Sequence, residues 1–155
     1  MQTCACGRKI VDPIGKPDAP ILLVGDHPDK EDLTHNMPFV SKRGEVLQAE
    51  LARVGLTLQQ CRITFLARHE PAEDCQNHLT DLLREMENRK AVLLIGSETC
   101  KPFGIVDVTK YCGLRIEHYL IPKSCGFVMV TVNPPQKDAI GEFRLSIEKF
   151  AKGAK

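Results

Sequence analysis

The sequence has no tryptophan, and aromatic residues make up only 5% of its 155 residues. A folded core must therefore be built mainly from aliphatic side chains. The chain also lacks a strong excess of either charge: its formal net charge is +1, which excludes a strongly basic protein. Nucleic-acid binding would then depend on local patches or backbone amides rather than on an overall electrostatic field.

Long apolar segments are missing as well. No apolar run approaches the roughly 18 residues that a membrane-spanning helix needs, and the first residues lack the apolar part of a secretion signal. The sequence therefore predicts a cytoplasmic protein. A length of 155 residues allows one sizeable core but is short for two, so a single domain over residues 1–155 is expected.

Seven cysteines are present, an odd number in a chain without an export signal. A disulfide framework is therefore disfavoured, and reduced thiols or a metal site explain the count better. Cys4 and Cys6 form a pair near the N-terminus. Most of the others are scattered among strand and loop residues, where cysteine usually serves as a small buried hydrophobe. These scattered residues are Cys61, Cys100, Cys112 and Cys125.

Hydrophobic patterns alternate between those of strands and those of helices. Strands that are apolar on both faces and separated by helices imply a parallel sheet covered on both sides. The sequence thus predicts a three-layer α/β/α protein with a central four-stranded parallel sheet. Residues 102–126 are the least regular part, a loop region with room for a β-hairpin. The predicted strands are 21–25, 62–66, 91–96 and 127–132, and the predicted helices are 43–54, 73–88 and 140–150.

Polar residues follow three of the four predicted strands. These strand ends read Gly25-Asp26-His27-Pro28, Gly96-Ser97 and Asn133-Pro134-Pro135. Ligands of parallel α/β sheets bind at the carboxyl ends of the strands. The sequence therefore places a candidate site at this edge.

The order of these landmarks along the chain carries a resemblance. An N-terminal cysteine pair precedes VGDHPDKED and MPFVSKRGEVLQAEL, and AVLLIGSETCKPF, VTKYCG and VMVTVNPP follow. In this order and spacing the chain resembles the uracil-DNA glycosylase superfamily, in particular its iron-sulfur, family-four-like branch, over residues 4–150. The resemblance implies a glycosylase fold that binds DNA and excises a base flipped out of the stack.

Five positions of the resemblance concern the base and the chemistry. Asp26 stands where the family has a motif glutamate, which implies a carboxylate that stabilises a positive sugar and orients water. Asn133 stands at the histidine of a His-Pro-Ser segment and can still donate a hydrogen bond. Phe39 matches the phenylalanine that stacks on the base. Phe65 replaces the base-reading asparagine, which implies an altered base choice, and His27 lies beside Asp26.

The resemblance also implies a group of residues near the DNA backbone. Gly25 and Gly44 keep glycines of the family, whereas Asp29 and Ser41 replace two, and Asp29 adds an unfavourable negative charge near phosphate. Basic residues at the start of a helix favour phosphate binding. The residues expected to contact DNA are Gly25, Pro28, Ser41, Lys42, Arg43, Gly44, Pro134 and Lys137.

The metal ligands implied by the resemblance are altered here. Relatives hold a four-iron cluster through a Cys-x-x-Cys pair and two later cysteines. In this chain only one residue separates Cys4 from Cys6, and the later positions are His69 and Cys75. Such a set suits a four-iron cluster or zinc, and a metal-free remnant is the third alternative. The remaining histidines, His35, His78 and His118, are expected at the surface.

Two functions of different classes follow from these expectations. The first is a divergent DNA glycosylase that excises a flipped damaged or deaminated base. The second is a glycosylase-fold module, catalytically weak or inert, that binds DNA, single-stranded or with a flipped base, or a replication or repair protein. The acid at Asp26 favours the first, and the loss of the base-reading asparagine at Phe65 favours the second.

Overall fold

The computed structural model describes residues 3–57, 59–70, 72–73, 75, 78–135 and 140–154. Within these residues the strands are β1 (Ile21–Gly25), β2 (Cys61–Phe65), β3 (Ala91–Ile95), β4 (Arg115–Ile116) and β5 (Phe127–Thr131). They form one sheet in the order β2-β1-β3-β5-β4, with β2 at one edge and the short β4 at the other. Four of them are parallel, and β4 runs antiparallel to β5.

The predicted α/β architecture with a central parallel sheet is confirmed, with one correction. The four predicted strands correspond to β1, β2, β3 and β5, but the sheet has a fifth strand. In the region expected to be irregular, Arg115 pairs with Met129 and Ile116 with Val128. A strand of two residues shows no periodicity in the sequence, and only pairing with its neighbour defines it.

Helices cover both faces of the sheet. The long helices lie close to their predicted positions, whereas a short helix at Lys30–His35 was not predicted. Its signal is a capping box, in which Asp29 and Asp32 bond to each other's backbone N–H groups. The helices are α1 (Lys30–His35), α2 (Lys42–Arg53), α3 (His78–Met86), α4 (Ser97–Cys100), α5 (Val108–Tyr111) and α6 (Gly141–Ala154), with a 3-10 turn at Lys101–Phe103.

Two hydrophobic clusters lie on opposite faces because side chains alternate along each strand. In β1, Ile21 and Leu23 pack into the cluster that contains α2 and α6. Leu22 and Val24 pack into the other, which contains residues of α3 and the 3-10 turn. All five residues of β1 are buried. This double coverage explains the continuous apolar runs of the sequence.

The register of the parallel strands brings the predicted strand ends together. Leu94 of β3 is level with Val24 of β1 on one side and with Val130 of β5 on the other. The residues that follow these strands therefore share one edge of the sheet. Among the described residues, no helix has both the length and the apolar composition to cross a membrane.

Candidate active site and metal centre

The centre of the candidate site is the carboxylate of Asp26, directly after β1. It is only 7% exposed. The backbone N–H and the hydroxyl of Thr99 both donate to Asp26 Oδ1, at 2.8 and 2.7 Å. Asn133 Nδ2, directly beyond β5, donates to Asp26 Oδ2 at 3.1 Å. A buried carboxylate is costly unless its lone pairs are satisfied, so these donors, which follow β3 and β5, hold Asp26 in one orientation.

The close approach of these groups requires a glycine at position 96. Gly96 has φ +103°, and a Cβ there would lie 2.4 Å from Asp26 Oδ2 and 2.6 Å from Asn133 Oδ1. Both the backbone conformation and the lack of space exclude a side chain. The sequence signalled Gly96 through its position at a strand end. Thr99 was missed, because its role depends on contact with a residue 73 positions away.

Two of the predicted residues, Phe39 and Phe65, form an aromatic floor against Gly25, the residue before Asp26. The rings of Phe39 and Phe65 have centroids 5.1 Å apart and are tilted by 32°. A Cβ on Gly25 would lie 2.5 Å from Phe39 Cζ and 3.0 Å from Phe65 Cδ1. Phe39 is 4% exposed and Phe65 3%. Gly25 therefore allows both rings to pack against β1. The ring of Phe65 gives an apolar surface where a base-reading asparagine would give an amide.

A missed residue, Asp32, holds the loop that carries Phe39. Asp32 Oδ1 accepts from the N–H of Val40 at 2.8 Å, and Asp32 Oδ2 accepts from the N–H of Asp29 at 2.9 Å. Gln48 Nε2 donates to the carbonyl oxygen of Phe39 at 2.9 Å. The buried Asp32 thus ties the start of α1 to the loop before α2, and the Asp29-x-x-Asp32 spacing was its sequence signal.

Asp29, Ser41 and Arg43 form a charged cluster at the start of α2. Ser41 Oγ donates to Asp29 at 2.7 Å, and Arg43 donates through Nε and NH2 at 3.1 and 2.7 Å. Burial alone would raise the pKa of Asp29, but hydrogen bonds from Ser41 and Arg43 outweigh it and hold that pKa below its ordinary value. The negative charge of Asp29, expected to face phosphate, is thus paired within the chain.

The other predicted DNA contacts lie around this edge in different surroundings. Lys42 is exposed, whereas Gly44 is buried, and a Cβ on Gly44 would lie 2.0 Å from the carbonyl oxygen of Phe39. Pro28 and Pro134 are buried. His27 Nδ1 lies 3.1 Å from the carbonyl oxygen of Pro28. Lys137 lies outside the described residues. Contact of these residues with DNA stays a prediction.

The four predicted metal ligands come together although they are far apart in the sequence. The ligand atoms of Cys4, Cys6, His69 and Cys75 all lie within 4.8 Å of one another. Cys4 Sγ is 3.5 Å from Cys75 Sγ, and Cys6 Sγ is 3.4 Å from His69 Nε2. A cluster of three thiols and an imidazole is a metal-binding donor set, which fits the predicted metal site.

Neighbouring groups prepare these side chains to act as ligands. His69 Nδ1 lies 2.6 Å from the carbonyl oxygen of Glu70 and so carries the proton, which leaves Nε2 free to bind. The pKa of Cys6 is lowered to about 6, chiefly by the backbone N–H of Arg8 and further by its guanidinium, against the effect of burial. A thiol with a lowered pKa is more readily the thiolate that metals bind.

His78, expected at the surface, instead lies beside this cluster. Its Nε2 is 3.3 Å from Cys75 Sγ, and its ring meets that of His69 edge-on with centroids 4.6 Å apart. Burial, followed by the neighbouring His69, lowers the pKa of His78. Cys75 and His78 are three positions apart in the sequence, and this short spacing was the available signal for their contact.

These features define a class before they define a family. A parallel α/β sheet here holds a buried acid and an amide at its carboxyl edge, where ligands of such sheets bind. The model of the uracil DNA glycosylase superfamily matches residues 13–137, and the chain belongs to this superfamily. The match confirms the resemblance at the level of the superfamily. It includes His69 and Cys75 but begins after Cys4 and Cys6.

Proposed function

We propose that the protein binds DNA and hydrolyses the N-glycosidic bond of a damaged or deaminated base that has left the stack. The observation that carries this proposal is the contact between Asp26 and Asn133 at the end of β1 and β5. An acid and an amide that meet at the carboxyl edge of the sheet of a glycosylase-fold protein are placed where a ligand of such a sheet would bind.

Asp26 supplies the charge that the reaction requires. Cleavage of the glycosidic bond leaves positive charge on the sugar, and a fixed carboxylate stabilises it without having to reorient. A carboxylate has about four acceptor positions. Thr99 uses two on Oδ1 and Asn133 uses one on Oδ2. The remaining position on Oδ2 is proposed to accept from the attacking water and orient it.

Base choice follows from the apolar floor. Phe39 is proposed to support the base by stacking, and Phe65 occupies the position of a base-reading amide. Without an amide at this position, hydrogen bonds cannot favour one polar base edge over another, so the site discriminates less between bases. We therefore propose a relaxed or altered preference compared with strict uracil recognition, with His27 beside Asp26 as the nearest titratable group of the same loop.

DNA backbone contacts are proposed along the loop between β1 and α2. Exposed Lys42 lies at the first turn of the 12-residue α2, where backbone N–H groups favour phosphate. Pro134, next to Asn133, and Lys137 further along are proposed to lie along the same strand of DNA. The metal centre is proposed to serve a structural role, because its ligands are separate from the Asp26 network.

A second function is favoured by one specific observation. Phe65 packs directly on Phe39 with centroids 5.1 Å apart, and both rings are almost fully buried. If this pair closes the base pocket, the protein binds DNA or a replication or repair partner without excision. The same arrangement of the other residues would then serve a binding module.

The substitution Asp26→Asn tests the catalytic proposal. The amide keeps an oxygen for Thr99, and Asn133 can turn its own amide to meet the new donor, so the fold should persist. We expect excision to fall about 10²–10⁴-fold, with DNA affinity equal or slightly higher because a negative charge is removed. Excision is measured on duplexes and single strands that carry uracil, hypoxanthine, xanthine or hydroxymethyluracil, and affinity by titration of labelled DNA.

Glu98→Gln is the matched control, since Glu98 is an exposed carboxylate one residue before Thr99. It removes the same charge from the same region and should leave excision unchanged. If the wild-type protein is inert on all four bases yet binds DNA, the catalytic proposal fails and the binding module stands. Equal losses in both variants would assign the effect to charge rather than to Asp26.

A further inference from the structure

We infer that Cys4, Cys6, His69 and Cys75 hold a single zinc ion rather than the four-iron cluster that the resemblance implies. The inference concerns the metal alone and does not rest on glycosylase activity. It starts from the size of the site. The four ligand atoms lie within 4.8 Å of one another, and two pairs are separated by only 3.5 and 3.4 Å.

One tetrahedral zinc ion matches these separations. With Zn–S bonds of about 2.3 Å, tetrahedral geometry places two thiolate sulfurs about 3.8 Å apart, and the shorter Zn–N bond brings an imidazole slightly closer. A four-iron cluster inserts a cube of iron and sulfide atoms between its ligands and separates them to about 6 Å. The space between these four side chains is therefore too small for the cube and suits one ion.

The donors support the same assignment. Three thiolates and one imidazole form one of the common structural zinc sites. The bond from His69 Nδ1 to the carbonyl oxygen of Glu70 is the outer contact that usually orients a zinc-binding histidine. Three thiolates carry three negative charges, one more than Zn²⁺ neutralises. Arg8, whose Nη1 lies 3.4 Å from Cys6 Sγ, supplies the compensating positive charge.

The role of the site follows from its complete ligand set and its position. Four protein ligands leave no place for a reacting water, so the ion is structural. It joins the N-terminal turn that carries Cys4 and Cys6 to the segment after β2. In that segment the N–H of Ala67 donates to the carbonyl oxygen of Asp26 at 3.0 Å. His78 Nε2 lies 3.3 Å from Cys75 Sγ. Because a metal-bound thiolate can only accept a hydrogen bond, His78 would donate to it and is a positioning residue rather than a fifth ligand.

The metal is identified by purification without oxygen from cells supplied with both iron and zinc. We expect about one zinc per chain by elemental analysis, no stoichiometric iron or acid-labile sulfide, and a colourless protein. Replacement by cobalt(II) should give the visible absorption of a tetrahedral thiolate site. Iron and sulfide in equal multiples of four, with brown colour, would overturn the inference in favour of the cluster, and protein without either metal would overturn it altogether.

Variants locate the site. Cys6→Ser should weaken zinc binding at least tenfold in competition with a chromophoric chelator, whereas Cys112→Ser, a partly exposed cysteine outside the cluster, should keep one zinc with unchanged affinity. His78→Gln should reduce affinity about tenfold or more and keep the stoichiometry. If Cys6→Ser does not fold, His69→Cys serves instead, because four cysteines also suit zinc. Equal zinc affinity in Cys6→Ser and Cys112→Ser would refute this location.

Discussion

At the scale of single residues, Phe39 is held in a backbone conformation that favours glycine. Its φ is +57°, which costs a residue with a Cβ roughly 1–2 kcal/mol. Gln48 and Asp32 hold the loop through hydrogen bonds to the backbone of Phe39 and Val40. Gly44 lets α2 approach to within contact of the Phe39 carbonyl. Strain that the surroundings maintain in this way is typical of functional sites.

The substitution Phe39→Leu tests whether the ring has a function beyond packing. Leucine keeps most of the volume, so the free energy of unfolding should fall by less than about 1.5 kcal/mol. Loss of a stacking ring should weaken binding to single-stranded DNA by about 1–3 kcal/mol. Denaturant unfolding and titration of labelled DNA measure the two quantities.

Phe103→Leu is the control for Phe39→Leu, because Phe103 is equally buried in the cluster on the opposite face. It should lose stability without losing DNA affinity. Similar affinities for the two variants would show that Phe39 is a core residue alone.

At the scale of elements, an ion pair between the buried Glu50 and the exposed Arg144 joins α2 to α6. Glu50 is 3% exposed and accepts from Arg144 through Nε and NH2, at 3.0 and 2.8 Å to Oε1. Arg53 Nε donates to Glu50 Oε2 at 2.8 Å. The hydrogen bonds from Arg144 have the largest effect on the pKa of Glu50. They outweigh burial, which acts in the opposite direction, and this pKa therefore lies below 4.5. Since α2 begins at the candidate DNA-contacting loop, this pair fixes the helix that presents it.

The lowered pKa of Glu50 predicts a pH-dependent contribution to stability. The folded protein holds Glu50 ionised to lower pH than the unfolded chain, so the contribution is present above about pH 4.5 and is lost as pH falls through the folded pKa. Glu50→Gln should lower the unfolding free energy by about 1–3 kcal/mol near pH 7. The difference from wild type should shrink below pH 4.5, as measured by urea unfolding across pH.

Glu148→Gln provides the comparison for Glu50→Gln. Glu148 also pairs with Arg53, at 2.8 Å, but its side chain is 41% exposed, and exposed pairs contribute roughly 0–1 kcal/mol. Equal effects of the two substitutions at pH 7 would contradict the importance assigned to burial of Glu50.

At the scale of the whole molecule, the metal centre connects the N-terminal segment to the candidate site. Cys4 and Cys75 are 71 positions apart, and Cys6 and His69 are 63. Beyond the centre, Val11 donates to the carbonyl oxygen of Arg68 at 2.8 Å, so the chain on both sides is held together. A metal that binds only the folded arrangement stabilises the entire protein.

The zinc inference thus predicts that the melting temperature rises with free zinc. At a free concentration about 100 times the Kd, binding adds about 2.7 kcal/mol. For a chain of this length that corresponds to roughly 5–10 °C. Thermal unfolding is followed in zinc-chelator buffers. In Cys6→Ser the dependence should disappear over the same range, and an equal rise in wild type and Cys6→Ser would show zinc binding elsewhere.

The sequence alone determined the main elements and the superfamily. The runs of apolar residues in β1 and β3 are easy to recognise in the sequence, because both faces of each strand are buried. The stripe of α3 is likewise visible from spacing. The candidate residues Asp26 and Asn133 and the four candidate metal ligands could be named because the landmarks occur in a family order along the chain, which requires no coordinates.

Only the tertiary structure decided which side chains meet. Thr99 donates a hydrogen bond to Asp26, and Arg144 donates to Glu50. The strand β4 exists only because Arg115 pairs with Met129. His78, which is partly exposed, lies against Cys75, and the ligand atoms of the four candidate metal residues lie within 4.8 Å of one another. Such contacts depend on strand register and helix packing, which sum interactions over the whole chain. A local pattern records the period of an element and carries no information on the distance between two elements.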